Sequence, residues 1–170
     1  MIEKRYCITF AAPVGSSKTP IAHYLSWNLG LLIYSNDATR IEVAEDLLGS
    51  NQDEYIKRRD ERGERLIKGG KSFIYDASID REWHRLHAWL TGNDYEWFII
   101  SLDLTKGFLE KIYEAKGYTE VDRLDVLLKQ HRKFLADYGD QVGLHISDET
   151  FARRLELSLA AVTDRFVHQL

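Results

Sequence analysis

A chain of 170 residues has the length of one domain, and at this size folding hides about two-thirds of the surface that the extended chain exposes. With 44% hydrophobic and 29% charged residues the composition is that of a globular protein and excludes a disordered one, while the net charge of -4 disfavours a surface built to hold nucleic-acid phosphates. The single cysteine, Cys7, excludes an intrachain disulfide and a cysteine metal cluster, so a reducing, cytoplasmic setting is expected.

The apolar stretch after the charged residues 1–6 is too short for a secretory signal core or a spanning helix, and no membrane association is expected. Residues 6–11, rich in strand formers, predict a buried strand that ends at the turn cluster Ala12-Pro13-Val14-Gly15-Ser16-Ser17. A helix over 18–29 follows: Ile21, Ala22, Leu25 and Leu29 stand at helical spacing, Pro20 falls in the first turn where no amide proton is needed, and Gly30 supplies a stop. Residues 31–34 predict a second strand, and Ser35, Asn36 and Asp37 supply capping groups for a helix over 38–48. The strongly charged segment 52–68 predicts a largely exposed helix, weakened at Gly63.

After Gly69-Gly70 a third strand is predicted over 72–75, ending at Asp76, and Asp80 is expected to cap a helix that runs to about Leu90. Trp83, Leu86 and Leu90 share a face of that helix and are expected to pack on a sheet, as are Trp27, Tyr95 and Trp97. The longest apolar run, 97–102, predicts a central parallel strand covered on both faces. Helices over about 105–115 and 123–138, a weak strand over 142–146 and a final helix from Asp148 toward Leu170 complete the chain. Five short strands alternating with helices predict an α/β fold in three α/β/α layers, with a five-stranded parallel sheet and right-handed crossovers, all in a single domain over 1–170. Ligands of such a sheet bind at the carboxyl ends of its strands, which places the chemistry at 12–19, 35–40, 76–80 and 103–105.

The strongest local signal is Pro13-Val14-Gly15-Ser16-Ser17-Lys18-Thr19, between a predicted strand and a predicted helix, which is the setting a phosphate-binding loop requires. Loop amides and the helix N-terminus can surround a polyphosphate, the Lys18 ammonium can reach its outer phosphates, and the Thr19 hydroxyl can ligate magnesium. Ala12 and Ser17 stand where the full pattern has glycine. The six histidines are scattered, and His84 with His87 lacks a nearby third ligand, so no zinc site is expected. No Gly-x-Ser-x-Gly elbow is present, which leaves acyl-transfer hydrolysis unsupported.

Over roughly residues 6–138 the sequence resembles the small P-loop kinases, a family that includes polynucleotide hydroxyl kinases, zeta-toxin-like enzymes and chloramphenicol phosphotransferase-like enzymes. The resemblance rests on the loop, on Asp37-Ala38-Thr39-Arg40 at the place of the family's Asp-x-x-Arg element, and on Asp76-Ala77-Ser78 at the end of the third strand. It implies a P-loop NTPase fold, ATP and Mg2+ as cofactors, Asp37 as the group that accepts the acceptor's proton, Arg40 as the group that holds the acceptor, and Asp76 beside Thr19 in the metal shell. It also implies a lid, here about 104–120, that contains Lys106, Lys111 and Lys116 where the family carries arginines. Lys111 and Lys116 are then the lid's candidates for the transferring phosphoryl group, although an ammonium lacks the bidentate fork of a guanidinium.

The expected function is transfer of a phosphoryl group from ATP to a hydroxyl of a small molecule or, less favoured, of a nucleic-acid end. The alternative is a degenerate P-loop protein that binds nucleotide, or only scaffolds, without turnover. The acceptor, the choice between ATP and GTP and the oligomeric state have no sequence signal.

Overall fold

A computed structural model describes residues 5–166 of the chain. Five strands, β1 (Arg5–Ala11), β2 (Leu32–Ser35), β3 (Phe73–Ser78), β4 (Tyr95–Asp103) and β5 (Val142–Ser147), form one parallel sheet in the order β2-β3-β1-β4-β5. Seven α-helices alternate with them: α1 (Lys18–Leu29), α2 (Asn36–Asp46), α3 (Gln52–Lys68), α4 (Trp83–Thr91), α5 (Lys106–Lys116), α6 (Leu124–Tyr138) and α7 (Arg154–Phe166). The expected continuation of the last helix to Leu170 lies, from 167 on, outside the described residues; its expected start at Asp148 is corrected to Arg154, after a short 3-10 turn at Phe151–Arg153.

Alternation along β1 divides the core in two. Ile8 and Phe10 face a cluster that contains Ile21 and Leu25 of α1, Leu109 of α5 and Val162 of α7. Cys7 and Ala11 face the other cluster, built on Trp83, Leu86 and Leu90 of α4. Since side chains of a strand point alternately to opposite faces, a strand buried on both must be apolar throughout, which is why β1 and β4 read as continuous runs. The order of the sheet switches at β1, which has β3 on one side and β4 on the other, so a crevice opens at its carboxyl end. Among the described residues no helix is long and apolar enough to cross a membrane.

Local signals set most boundaries. The Ser35 side chain accepts from the Ala38 amide and starts α2, Asn51 accepts from the Glu54 amide and starts α3, and Gly30 closes α1 in the left-handed conformation. Gly63 does not weaken α3 into a break. It is buried, and a Cβ there would stand 3.2 Å from Tyr34 Oη and 3.3 Å from the Trp89 ring, so its lack of a side chain lets the helix approach the sheet edge. Two other expectations are corrected. Asp80 caps no helix, because α4 begins at Trp83 and Asp80 is engaged elsewhere; and Trp27 is 90% exposed, since at about 100° per residue it falls on the side of α1 opposite Ile21, Ala22 and Leu25.

Candidate functional site

The loop from Ala12 to Ser17 leaves the middle of the sheet and turns into α1. Gly15 takes a φ of 82°, and a Cβ there would come within 2.7 Å of the Tyr113 ring, so both backbone and space require glycine. Ser17, at the position where the pattern has glycine, is also left-handed, with φ 71° and ψ 41°, and its side chain makes no cap bond to α1. For an L-residue that conformation costs about 1–2 kcal/mol. Ser17→Gly is therefore expected to stabilise the protein by about 0.5–1 kcal/mol after the added freedom of the unfolded chain is set against the relief. A thermal melting midpoint that stayed equal or fell would show that the loop stores no strain at this position.

Lys18 Nζ donates to the carbonyl of Pro13 at 3.2 Å, curling back under the loop. Burial lowers its pKa to about 8, against the partly compensating pull of Asp76 and Asp80. Thr19 Oγ1 donates to Asp76 Oδ2 at 3.0 Å. Asp76 reaches that place through an irregularity in the sheet: Thr9 pairs with Tyr75 but Phe10 pairs with Ser78, so Asp76 and Ala77 stand out of the ladder with β1. Ser78 Oγ then donates to the carbonyl of Ala12 at 2.7 Å and the Ile79 amide to the carbonyl of Phe10 at 3.0 Å, fastening the end of β3 to the start of the loop. Burial raises the Asp76 carboxyl above its ordinary range, while Thr19 and Lys18 oppose the rise.

These residues line one cavity of about 640 Å3. The loop residues Val14, Gly15, Ser17, Lys18 and Thr19 line it, as do Asp37 and Arg40 of α2 and Asp76, so the structure brings together the predicted groups of three separate segments. Pro13 and Ser16 are buried behind that wall, and the Ser16 hydroxyl has no hydrogen-bond partner among the described residues. The Arg40 guanidinium lies 3.9 Å from the centre of the Tyr55 ring and donates to Gln52 Oε1 at 3.5 Å.

From α5, Tyr113 Oη donates to the carbonyl of Val14 at 2.6 Å and Lys116 Nζ to the carbonyl of Gly15 at 2.8 Å. Lys116 thus lies on the loop. Lys111 does not: it is exposed on α5, outside the lining of the cavity, and Lys106 pairs with Asp125. Helix periodicity contains the distinction, because Lys116 is three residues from buried Tyr113 and seven from buried Leu109, whereas Lys111 is two from either.

Sequence reasoning missed two groups. One is Arg81, which lines the cavity from the loop between β3 and α4. The other is a polar cluster behind that loop. His131 of α6, 3% exposed, bonds through Nδ1 to Asp80 Oδ2 at 3.2 Å and through Nε2 to Asp103 Oδ1 at 2.9 Å, and Asp103 also receives Ser101 Oγ and contacts His145 Nδ1. Burial alone would lower the imidazole's pKa, but its bonds to Asp103 and Asp80 outweigh this and raise it to about 9. Burial likewise pushes Asp103 up, and the bonds from His131, Ser101 and His145 more than reverse that, to about 2. His131 is therefore an imidazolium between two carboxylates, and it links α6 to the end of β4 and to the loop that carries Arg81.

No protein-family model matches the sequence, and no curated protein matches it either. Solved structures do match the fold. A gluconokinase from Sinorhizobium meliloti 1021 superposes with a TM-score of 0.62 at 16% identity, over 98% of this chain and 97% of that one. The tunicamycin resistance protein of Deinococcus radiodurans gives 0.65 at 16% identity over 95% of each chain, and a shikimate kinase from Bacteroides thetaiotaomicron gives 0.59 at 10% identity over 97% of this chain and 99% of that one. The chain has the fold of the small P-loop kinases, as its loop and strand order lead one to expect.

Proposed function

We propose that this chain, on the fold of the small P-loop kinases, transfers the γ-phosphoryl group of ATP to a hydroxyl of a small molecule. The observation that carries the reading is the convergence of Lys18, the Thr19–Asp76 pair and Asp37 on one cavity at the carboxyl end of β1. The solved structures of like fold named for small-molecule kinases support it, and they favour a small-molecule acceptor over a nucleic-acid end.

The donor set suits magnesium, since a hydroxyl and a carboxylate 3.0 Å apart are hard oxygen ligands. Thr19 and Asp76 would hold the ion, and when bound it neutralises charge on the phosphates. Lys18 exchanges its bond to the Pro13 carbonyl for phosphate oxygens, a trade that favours the ammonium form its burial penalises. Asp37, exposed and without a hydrogen-bond partner among the described residues, accepts the proton of the acceptor hydroxyl as that oxygen bonds to the γ-phosphorus. The bond from that phosphorus to the bridging oxygen breaks, and its electron pair leaves with ADP. Lys116 faces the growing charge from the lid side once it leaves the Gly15 carbonyl.

Asp37→Asn is expected to leave binding of magnesium with a non-hydrolysable ATP analogue intact and to lower transfer by about 10^2–10^4-fold. Calorimetric titration and ADP release measured over a panel of polyols, sugar acids and nucleosides check both halves; undiminished transfer by the variant would remove Asp37 from the role. A second reading, nucleotide binding without turnover, is favoured by left-handed Ser17 and by the absence of arginine from 104–120. Saturable nucleotide binding with no transfer in any acceptor screen would select it.

A further inference from the structure

The sheet is open at β2. This strand pairs with β3 alone, in register from Leu32 with Phe73 to Ser35 with Asp76. An edge strand presents a row of unpaired N–H and C=O groups on its free side. Side chains satisfy the two ends of the row: the Leu31 carbonyl accepts from Ser26 Oγ at 2.7 Å and the Ser35 carbonyl from Thr39 Oγ1 at 3.1 Å. Between them the main chain of 32–34 makes no hydrogen bond outside the ladder with β3 among the described residues.

All four residues of β2 line a groove of about 430 Å3, together with Arg62, Arg65 and Leu66 of α3 and with Lys71. Arg62 Nη1 donates at 2.9 Å to Thr39 Oγ1, which itself donates to the Ser35 carbonyl, so Arg62 marks the carboxyl end of the groove. Lys71 stands two residues before Phe73, the partner of Leu32, and marks the amino end. The charge is one-sided. No aspartate or glutamate lines the groove. Of its three cations Arg62 is held by Glu42, whereas Arg65 and Lys71, both exposed, make no ion pair among the described residues. In a chain of net charge -4 this is a local reversal of sign. Leu32, 55% exposed, adds an apolar surface to the same groove.

These properties select an occupant. Open main-chain groups suit an extended segment, which satisfies them by adding a strand, and unpaired cations suit acidic side chains. A second copy that paired β2 with β2 about a two-fold axis would lay the cationic groove against itself, at a cost in repulsion. We propose that the β2 edge docks an acidic, extended peptide segment of a partner protein, which adds a strand to the sheet and sets carboxylates against Arg65 and Lys71. The competing use of the same cations is to guard the edge against any added strand, and it predicts that no peptide binds. The proposal does not depend on the phosphotransfer reading, since no residue of this groove lines the cavity at the phosphate loop.

The test follows, by fluorescence anisotropy, a short labelled peptide of alternating glutamate and valine titrated with the full chain. Saturable binding is expected, with serine–valine and lysine–valine peptides at least about fivefold weaker, the size of one good exposed ion pair. Two further peptides carry methyl groups on the amide nitrogens of the glutamates or of the valines, which blocks one edge of the added strand at a time and leaves the protein untouched. At least one of them should bind about tenfold more weakly or worse, as the loss of two hydrogen bonds implies. Arg65→Glu with Lys71→Glu should weaken the acidic peptide at least about tenfold and leave the thermal melting midpoint near that of the wild type, because neither side chain has an ion pair to lose. The proposal is overturned if the acidic peptide fails to bind at millimolar concentration, if the lysine peptide or both methylated peptides bind as well as it does, or if the double variant binds it as the wild type does. Sedimentation of the free chain covers the remaining occupant: a dimer that Leu32→Lys dissolves would assign the edge to a second copy and overturn the proposal as well.

Discussion

Lys18→Ala is expected to weaken binding of magnesium with an ATP analogue, and any transfer that depends on it, by about 3 kcal/mol or more, on the order of 10^2–10^3-fold, the size found when one preorganised donor is removed from an oxyanion site. The reason lies in where the ammonium sits. It is partly buried under the loop, its hydrogen bond among the described residues is to a backbone carbonyl, and burial has already lowered its pKa to about 8. Polyphosphate raises that pKa again, so above about pH 8 binding should take up protons, and the heat of binding should vary with the ionisation enthalpy of the buffer. Calorimetry at pH 8.5 in two buffers reads this directly. Equal heats in both, or wild-type affinity in Lys18→Ala, would show that the nucleotide does not meet this ammonium.

The second large effect is on stability. His131→Ala should destabilise the fold by about 3–5 kcal/mol, because it leaves Asp80 and Asp103 facing each other without the cation between them. Against a typical total of about 5–15 kcal/mol this is severe. Urea denaturation measures it, and a loss under about 1 kcal/mol would mean that water replaces the imidazolium. Replacing His131 by Leu together with Asp80→Asn and Asp103→Asn should recover part of the loss. The pH dependence follows from the same group. Its folded pKa of about 9 lies above the unfolded 6.5, so its stabilisation is complete below about pH 6.5 and is withdrawn as pH rises through 9. The depressed Asp103 acts on the acid side: its contribution is present above the unfolded 3.8 and is lost as pH falls through about 2. Both shifts describe one ion pair and are not summed.

The run of β1, a turning loop and α1 was legible in the sequence because it depends on neighbours: a strand, a glycine that must turn left-handed, and a Lys-Thr pair at a helix start fall within fifteen residues. Ser35 as the cap of α2 was legible for the same reason. Asp80 was misread because a capping residue is what a local pattern offers, whereas its partner, His131, is 51 residues away and lies on a helix whose other signals are only those of core packing. Arg81 was passed over because an arginine before a helix has no local mark; only the cavity that it lines makes it stand out. Trp27 was different, since the angular positions of Ile21, Ala22 and Leu25 already placed it on the outer side of α1.

The bonds from Tyr113 and Lys116 to the loop have a consequence for the amides beside them. A trans peptide unit is rigid, with its carbonyl and its N–H pointing opposite ways. Holding the Val14 and Gly15 carbonyls toward α5 therefore turns the N–H groups of Gly15 and Ser16 away from that helix. Helix α5 thus acts on the loop as a template that fixes the direction of two of its peptide dipoles, while the Ser16 amide donates to the Pro13 carbonyl at 3.3 Å within the loop itself.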